Sequence, residues 1–164
     1  MKTPNSLIFL LLSLATPATL AGDVSVDFLA PEKYQDVGIN QHDIDRNIRT
    51  LEQHLQKMGK QYLPTTQTLK LEILDIDLAG RYEPWQPPPL HDVRIMRSSA
   101  ATWPLIKLRY TLSEGSRVLK QGEESVTDVN YLDRVSTSDR SDPLHHEKQM
   151  LEDWFRHKLS MPDN

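Results

Sequence analysis

The sequence predicts a single α+β domain, a mostly antiparallel sheet of about five strands with two helices packed on one face. Three observations carry this. Several separate segments alternate apolar and polar residues, two others repeat apolar residues at helical spacing, and no linker between them is long enough to divide the chain. Val24, Val26 and Phe28 alternate with Asp23, Ser25 and Asp27, so the segment from Asp23 to Leu29 reads as a first strand, closed by Pro31. Asn40, followed three residues later by Asp43, signals a helix start: a side-chain cap with a carboxylate near the positive end of the helix dipole. Ile44, Ile48, Leu51, Leu55, Met58 and Tyr62 then form one apolar stripe, ended between Gly59 and Pro64. Packing on a sheet is expected for this stripe, with two-stranded coiled-coil pairing as the alternative.

Thr68 to Gly80 is the strongest strand signal, yet its alternation changes phase between Leu69, Leu71, Ile73 and Leu74, Ile76, Leu78. The slip implies either a bulge near Ile73 and Leu74 or a sheet covered first on one face and then on the other. A stiff proline-rich loop around Trp85 follows, then a short strand from Asp92 to Met96 and a longer one from Trp103 to Leu112. Ser113 to Ser116 forms a hairpin turn with Gly115 free to take a positive φ, and Arg117 to Val126 is the returning strand. The polar, aperiodic run from Asp133 to Ser141 is a surface loop. A last helix is expected to open at Asp142 with Pro143 at its first position. Its apolar side is Leu144, Met150, Leu151, Trp154, Phe155 and Leu159, and Glu152 stands four residues from Arg156 as an ion pair. If the first two long strands pair in parallel, a right-handed crossover joins them.

The first 21 residues hold Lys2, an apolar run from Leu7 to Leu14, Pro17, and small Thr19 and Ala21 flanking Leu20. This is the three-part form of a cleavable secretory signal peptide, and its apolar stretch is too short to span a bilayer. Residues 1–21 are therefore expected to be removed and 22–164 to form the domain. With no cysteine in the chain, thiol catalysis, disulfides and Cys-ligated metal are excluded. A formal net charge of −4 offers no general attraction to nucleic acid. The expected destination is the periplasm of a Gram-negative bacterium, with release from the cell left open and no membrane insertion after cleavage.

Several segments together resemble a known family. They are DVSVDFLAPEKYQDVG, LEILDIDLAG with the following EPW, TWPLIKLRYTLSEG, VLKQGEE and SDPLHHEKQMLEDWF. The chain resembles the proteobacterial family catalogued as domain of unknown function 3016 from about Val24 to Leu159. The resemblance implies an exported bacterial protein of this size and carries no catalytic residue, cofactor or partner. The proline run from Pro87 to Pro89 departs from the family pattern.

No cofactor is expected. Asp75 and Asp77, two apart on a strand, share a face and could act as general acid and base or as metal ligands; the structural alternative is a pair on the open face, or one partnered by Lys107, Arg109 or Lys120. The six histidines give no zinc framework, because adjacent His145 and His146 splay about 100° apart on a helix. Nucleophile elbows, phosphate loops and dinucleotide fingerprints are absent from the sequence. Trp85, held between prolines, is the candidate recognition anchor, the alternative being a lid folded over the open end of the core. Asn130 and Tyr131, after Asp128, are candidates for a polar surface beside it or for a capped turn. Trp103 and Trp154 are expected in the core. The function expected is a non-catalytic binding or accessory module for an envelope protein, a glycan or a small ligand, with a small hydrolase using Asp75 and Asp77 as the alternative.

Overall fold

The structure is a computed structural model in which residues 22–88, 93–97, 102–134 and 142–159 are described. The main sheet has four strands in the order β1 (Asp23–Phe28), β2 (Gln67–Asp77), β5 (Leu105–Glu114), β6 (Arg117–Thr127). β1 and β2 are parallel, joined through α1 (Gln41–Tyr62), and the other two pairings are antiparallel. β3 (Arg81–Tyr82) and β4 (Arg94–Ile95) form a small separate ribbon, and α2 (His145–Trp154) runs into a π-helical turn from Phe155 to Leu159. The architecture is the expected α+β domain, except that the main sheet has four strands and the short strand expected at 92–96 pairs outside it.

The phase slip in β2 is a bulge. Ile73 pairs with Leu108 and Asp75 with Lys107, which leaves Leu74 as the extra residue. Ile73 before it and Ile76 after it both end fully buried. One face of the sheet therefore stays apolar along the whole strand, and both helices pack there. The stripe of α1 lies in this core, with Leu51, Leu55 and Met58 buried and Ile44, Ile48 and Tyr62 packed at its margin. Asn40 caps α1 as expected, accepting the Asp43 main-chain N–H at 3.0 Å. The opposite face carries a ladder of paired charges in which Arg109 bridges Glu72 (2.8 Å) and Glu123 (3.0 Å).

α2 starts two residues later than expected, at His145 rather than Pro143. Asp142 instead closes the turn before the helix, its Oδ1 accepting Leu144 N–H at 3.0 Å and its carbonyl accepting His145 N–H at 3.1 Å. Its apolar side is as expected, with Leu144, Met150, Leu151, Trp154, Phe155 and Leu159 all buried. Glu152 accepts the Tyr62 hydroxyl at 2.6 Å, tying α2 to α1 in place of the expected pair with Arg156. Trp103 corrects the reading from alternation: it precedes Pro104 and the first residue of β5, out of phase with buried Ile106 and Leu108, and is 39% exposed. The polar loop expected at 133–141 lies largely outside the described residues, as do 89–92 of the proline-rich loop.

Gly59 sits inside α1, where glycine costs about 1 kcal/mol relative to alanine. The reason is proximity to β1: a Cβ there would stand 2.1 Å from Cγ2 of Val24. Gly59→Ala is expected to destabilise the domain by about 1–3 kcal/mol despite its better helix propensity, and Val24→Ala in the same chain to recover part of the loss. Urea unfolding of the two single variants and the double variant measures this, and a neutral Gly59→Ala would refute the close packing.

Candidate functional site

Where β2 finishes, β5 begins and β6 finishes, several loops are fastened to one another. Leu78, Ala79 and Gly80 leave β2 in a turn with Gly80 at φ 72°, where a Cβ would meet Met96 Sδ at 2.6 Å and Ile95 O at 2.8 Å. Arg94 holds this turn. Its Nη1 donates to the carbonyls of Leu78, Ala79 and Gly80 at 3.1–3.3 Å, its Nη2 pairs with Asp36 at 2.5 Å, and its guanidinium lies 4.7 Å over the Tyr82 ring. Glu147 of α2 accepts the Ala79 N–H at 2.6 Å, and Gly80 N–H donates to Thr102 O at 2.8 Å.

Glu83 to Gln86 forms the next turn, closed by Gln86 N–H to Glu83 O at 2.9 Å with Pro84 at its second position. The Glu83 carboxylate is 3% exposed and accepts from Gln86 Nε2 and Arg97 Nη2, each at 2.8 Å. Trp85, at the tip, is 70% exposed, which rules out the lid alternative. The fastening continues through Thr102, whose hydroxyl donates to Arg97 O at 3.3 Å and lies 3.1 Å from the Tyr131 hydroxyl. Tyr131 is buried and meets the His146 ring edge-to-face at 4.7 Å. It is thus a support beneath the surface.

Asn130 is exposed on a capped turn in which its N–H donates to Asp128 Oδ1 at 3.1 Å. Asp128 is itself buried and paired with Arg134 at 2.9 Å. Asp75 and Asp77 lie apart from Trp85's turn, at the edge where the chain rejoins β2 beside Asp36. Gln35 takes up both: its N–H donates to Asp75 Oδ1 and its side-chain amide to Asp77 Oδ2, each at 2.9 Å. Asp75 Oδ1 also accepts Ile76 N–H at 2.9 Å. Burial, with Asp36 adding to it, holds the Asp77 carboxyl above its ordinary value. Among the described residues no group of three or more His, Asp or Glu is arranged to hold a metal ion.

Sequence reasoning missed Gln35, Glu83, Arg94 and Glu147. Only Glu147 left a signal: it stands three residues after Leu144 and four before Leu151, on the buried side of its helix. Its second oxygen, Oε2, is buried without a hydrogen-bond partner among the described residues. Burial raises its carboxyl above 4.5, whereas burial and then His145 lower the adjacent His146 from 6.5 to about 4.

These shifts have opposite consequences. A raised carboxyl favours the folded state below its unfolded value and loses that advantage as pH climbs through the folded value; a depressed imidazole favours it above 6.5 and loses that between 6.5 and about 4. Glu147→Gln keeps an acceptor for Ala79 N–H without the ionisation. Its thermal midpoint is expected to gain on that of the parent as pH rises from 4.5, and a gap that stays constant or narrows would contradict a buried, proton-holding Glu147.

Comparison with curated proteins gave no match, and comparison with solved structures gave none. One family model does match, over residues 22–157, and on that match the chain belongs to the family described as protein of unknown function (DUF3016).

Proposed function

We propose that the chain is an exported periplasmic protein, cleaved after Ala21, that serves as a non-catalytic binding or accessory module and engages its partner through Trp85. The observation that carries the reading is the contrast within one turn: a tip tryptophan 70% exposed, over a base carboxylate 3% exposed and paired with Arg97. A large aromatic held in place before it docks loses little conformational entropy on binding, which is how interface anchors reach high affinity. An envelope protein is the favoured partner, and a glycan or small ligand would use the same exposed ring.

The family match begins at Gly22, the residue after the expected cleavage point, which supports export. Gly22 itself is buried against Leu63 and Pro64, where a Cβ would stand 2.4 Å from Leu63 Cβ. The hydrolase alternative draws no support from the geometry. Asp75 and Asp77 serve as acceptors that fix Gln35 along the sheet edge.

A photo-crosslinking amino acid at position 85, introduced in cells, is expected to yield one discrete protein adduct of a chain that starts at Gly22. Trp85→Ala is expected to leave stability within about 0.5 kcal/mol of the parent, because the ring is solvated. Absence of any adduct from a folded, expressed chain would count against a protein partner, and a chain retaining residues 1–21 would count against export.

A further inference from the structure

Trp85 is one of several large apolar side chains left in solvent at the same end of the sheet. Trp103 is 39% exposed, Val129 58%, Leu132 39% and Val93 47%. The topology joins them. The Asp128 N–H to Pro104 O bond (3.4 Å) carries the β5–β6 register one step past its last paired strand residues, so Trp103 and Val129 lie opposite each other at the next step. Glu83 and Val93 are the residues next to the paired Tyr82 and Arg94, at the base of the Trp85 turn. The two halves are linked by the Glu83–Arg97 pair and by Thr102, which bonds Arg97 on one side and Tyr131 on the other.

We infer that Trp85, Val93, Trp103, Val129 and Leu132 form one docking surface, and that its occupant is a protein presenting an uncharged apolar face. This rests on the reading of Trp85 as an anchor and extends it to two further loops, the one that leads into β5 and the one that follows β6. Charge decides the partner's chemistry. Glu83 pairs with Arg97, and Arg134 is shared between Asp128 and Asp153, which leaves that cluster one negative charge. Exposed Arg81 and Asp133 add one charge of each sign. Among the described residues the surface therefore offers no attraction to an anionic lipid headgroup, a nucleic acid or an acidic peptide, and a strongly charged partner face would be desolvated against its exposed apolar side chains without compensation.

Rigidity favours a protein over a bilayer. A bilayer accepts an apolar side chain in many orientations, whereas here the Trp85 turn is fixed by a buried carboxylate and the loop carrying Leu132 follows a buried, hydrogen-bonded Tyr131. Fixed geometry is useful where shape must match.

The test places the photo-crosslinking amino acid at 103 and at 132 in the full chain in cells, beside position 85. Val118, 50% exposed and near the hairpin at the other end of the sheet, is the control. Positions 103 and 132 are expected to give the same protein adduct as position 85, and 118 not to. Trp103→Ala and Leu132→Ser are each expected to cut the adduct yield from position 85 by about fivefold or more, in chains whose circular dichroism and thermal midpoint match the parent. If 85 gives a protein adduct while 103 and 132 give none, a different one, or lipid, the extended surface is overturned and the anchor reading stands. If 85 gives none, the extended surface falls together with the protein-partner reading of Trp85.

Discussion

The bond set of one guanidinium organises the end of the molecule that carries the Trp85 turn. The chain must leave β2, turn back on itself and rejoin the sheet at β5, and in doing so Leu78, Ala79 and Gly80 turn three carbonyls toward one point. Unpaired carbonyls in that partly buried position would each carry a desolvation cost of about 1–3 kcal/mol. The two hydrogens of Nη1 are shared among the three, while Nη2 pairs with Asp36, which is itself hydrogen-bonded through Ile76 O and Leu78 N–H. An ammonium has the charge and lacks the fork. Arg94 thereby ties the sheet edge, the turn and the β3–β4 ribbon to one another. The charge also tempers its surroundings, lowering the otherwise raised Asp77 and Glu147 carboxyls nearby.

How much of this could be read from the sequence follows from the range of the interactions. Elements fixed by local periodicity were readable: the α1 stripe, its Asn40 cap, the β5–β6 hairpin and the apolar side of α2. The bulge was half readable. The phase change between Ile73 and Ile76 required either a bulge or a second covered face, and only the pairing of Asp75 with Lys107 separates them. Trp103 misled because a β-favouring aromatic beside a strand looks like its first residue, although Pro104 intervenes and the register begins at Leu105. The small ribbon was invisible as such: two residues pairing with two others leave no periodicity to detect.

The candidate site divides the same way. Trp85 was found because prolines on both sides declare a stiff turn, a purely local fact. Nothing local declares that Glu83 is buried, since its partner Arg97 lies 14 residues on, or that Arg94 closes a turn 14 to 16 residues behind it. Asp75 and Asp77 illustrate the opposite failure. Their spacing suggests paired chemistry, but their partner, Gln35, arrives from 40 and 42 residues away through a main-chain N–H and an amide. Carboxylates so engaged hold a chain segment in place, and a proton-transfer role would require that segment to move.

The atoms that hold the shape of the Trp85 turn and the ring it exposes are therefore distinct. The energy that shapes the Trp85 loop resides in Glu83, Gln86 and Arg97, which are paired with one another; the ring itself contributes little to folding because water surrounds most of it. Solvating an indole ring forgoes roughly 2–3 kcal/mol of apolar burial that an inward-facing turn could have gained. In a domain with few apolar residues, 38% of the chain before any signal is removed, that forgone burial is a large share of a marginal net stability. A turn built this way is readily understood if the ring is buried elsewhere, against another molecule. Trp103 and Val129, opposite each other just past the last ladder pair, are out of phase with buried Ile106 and Val126, so the register itself keeps them on the uncovered face.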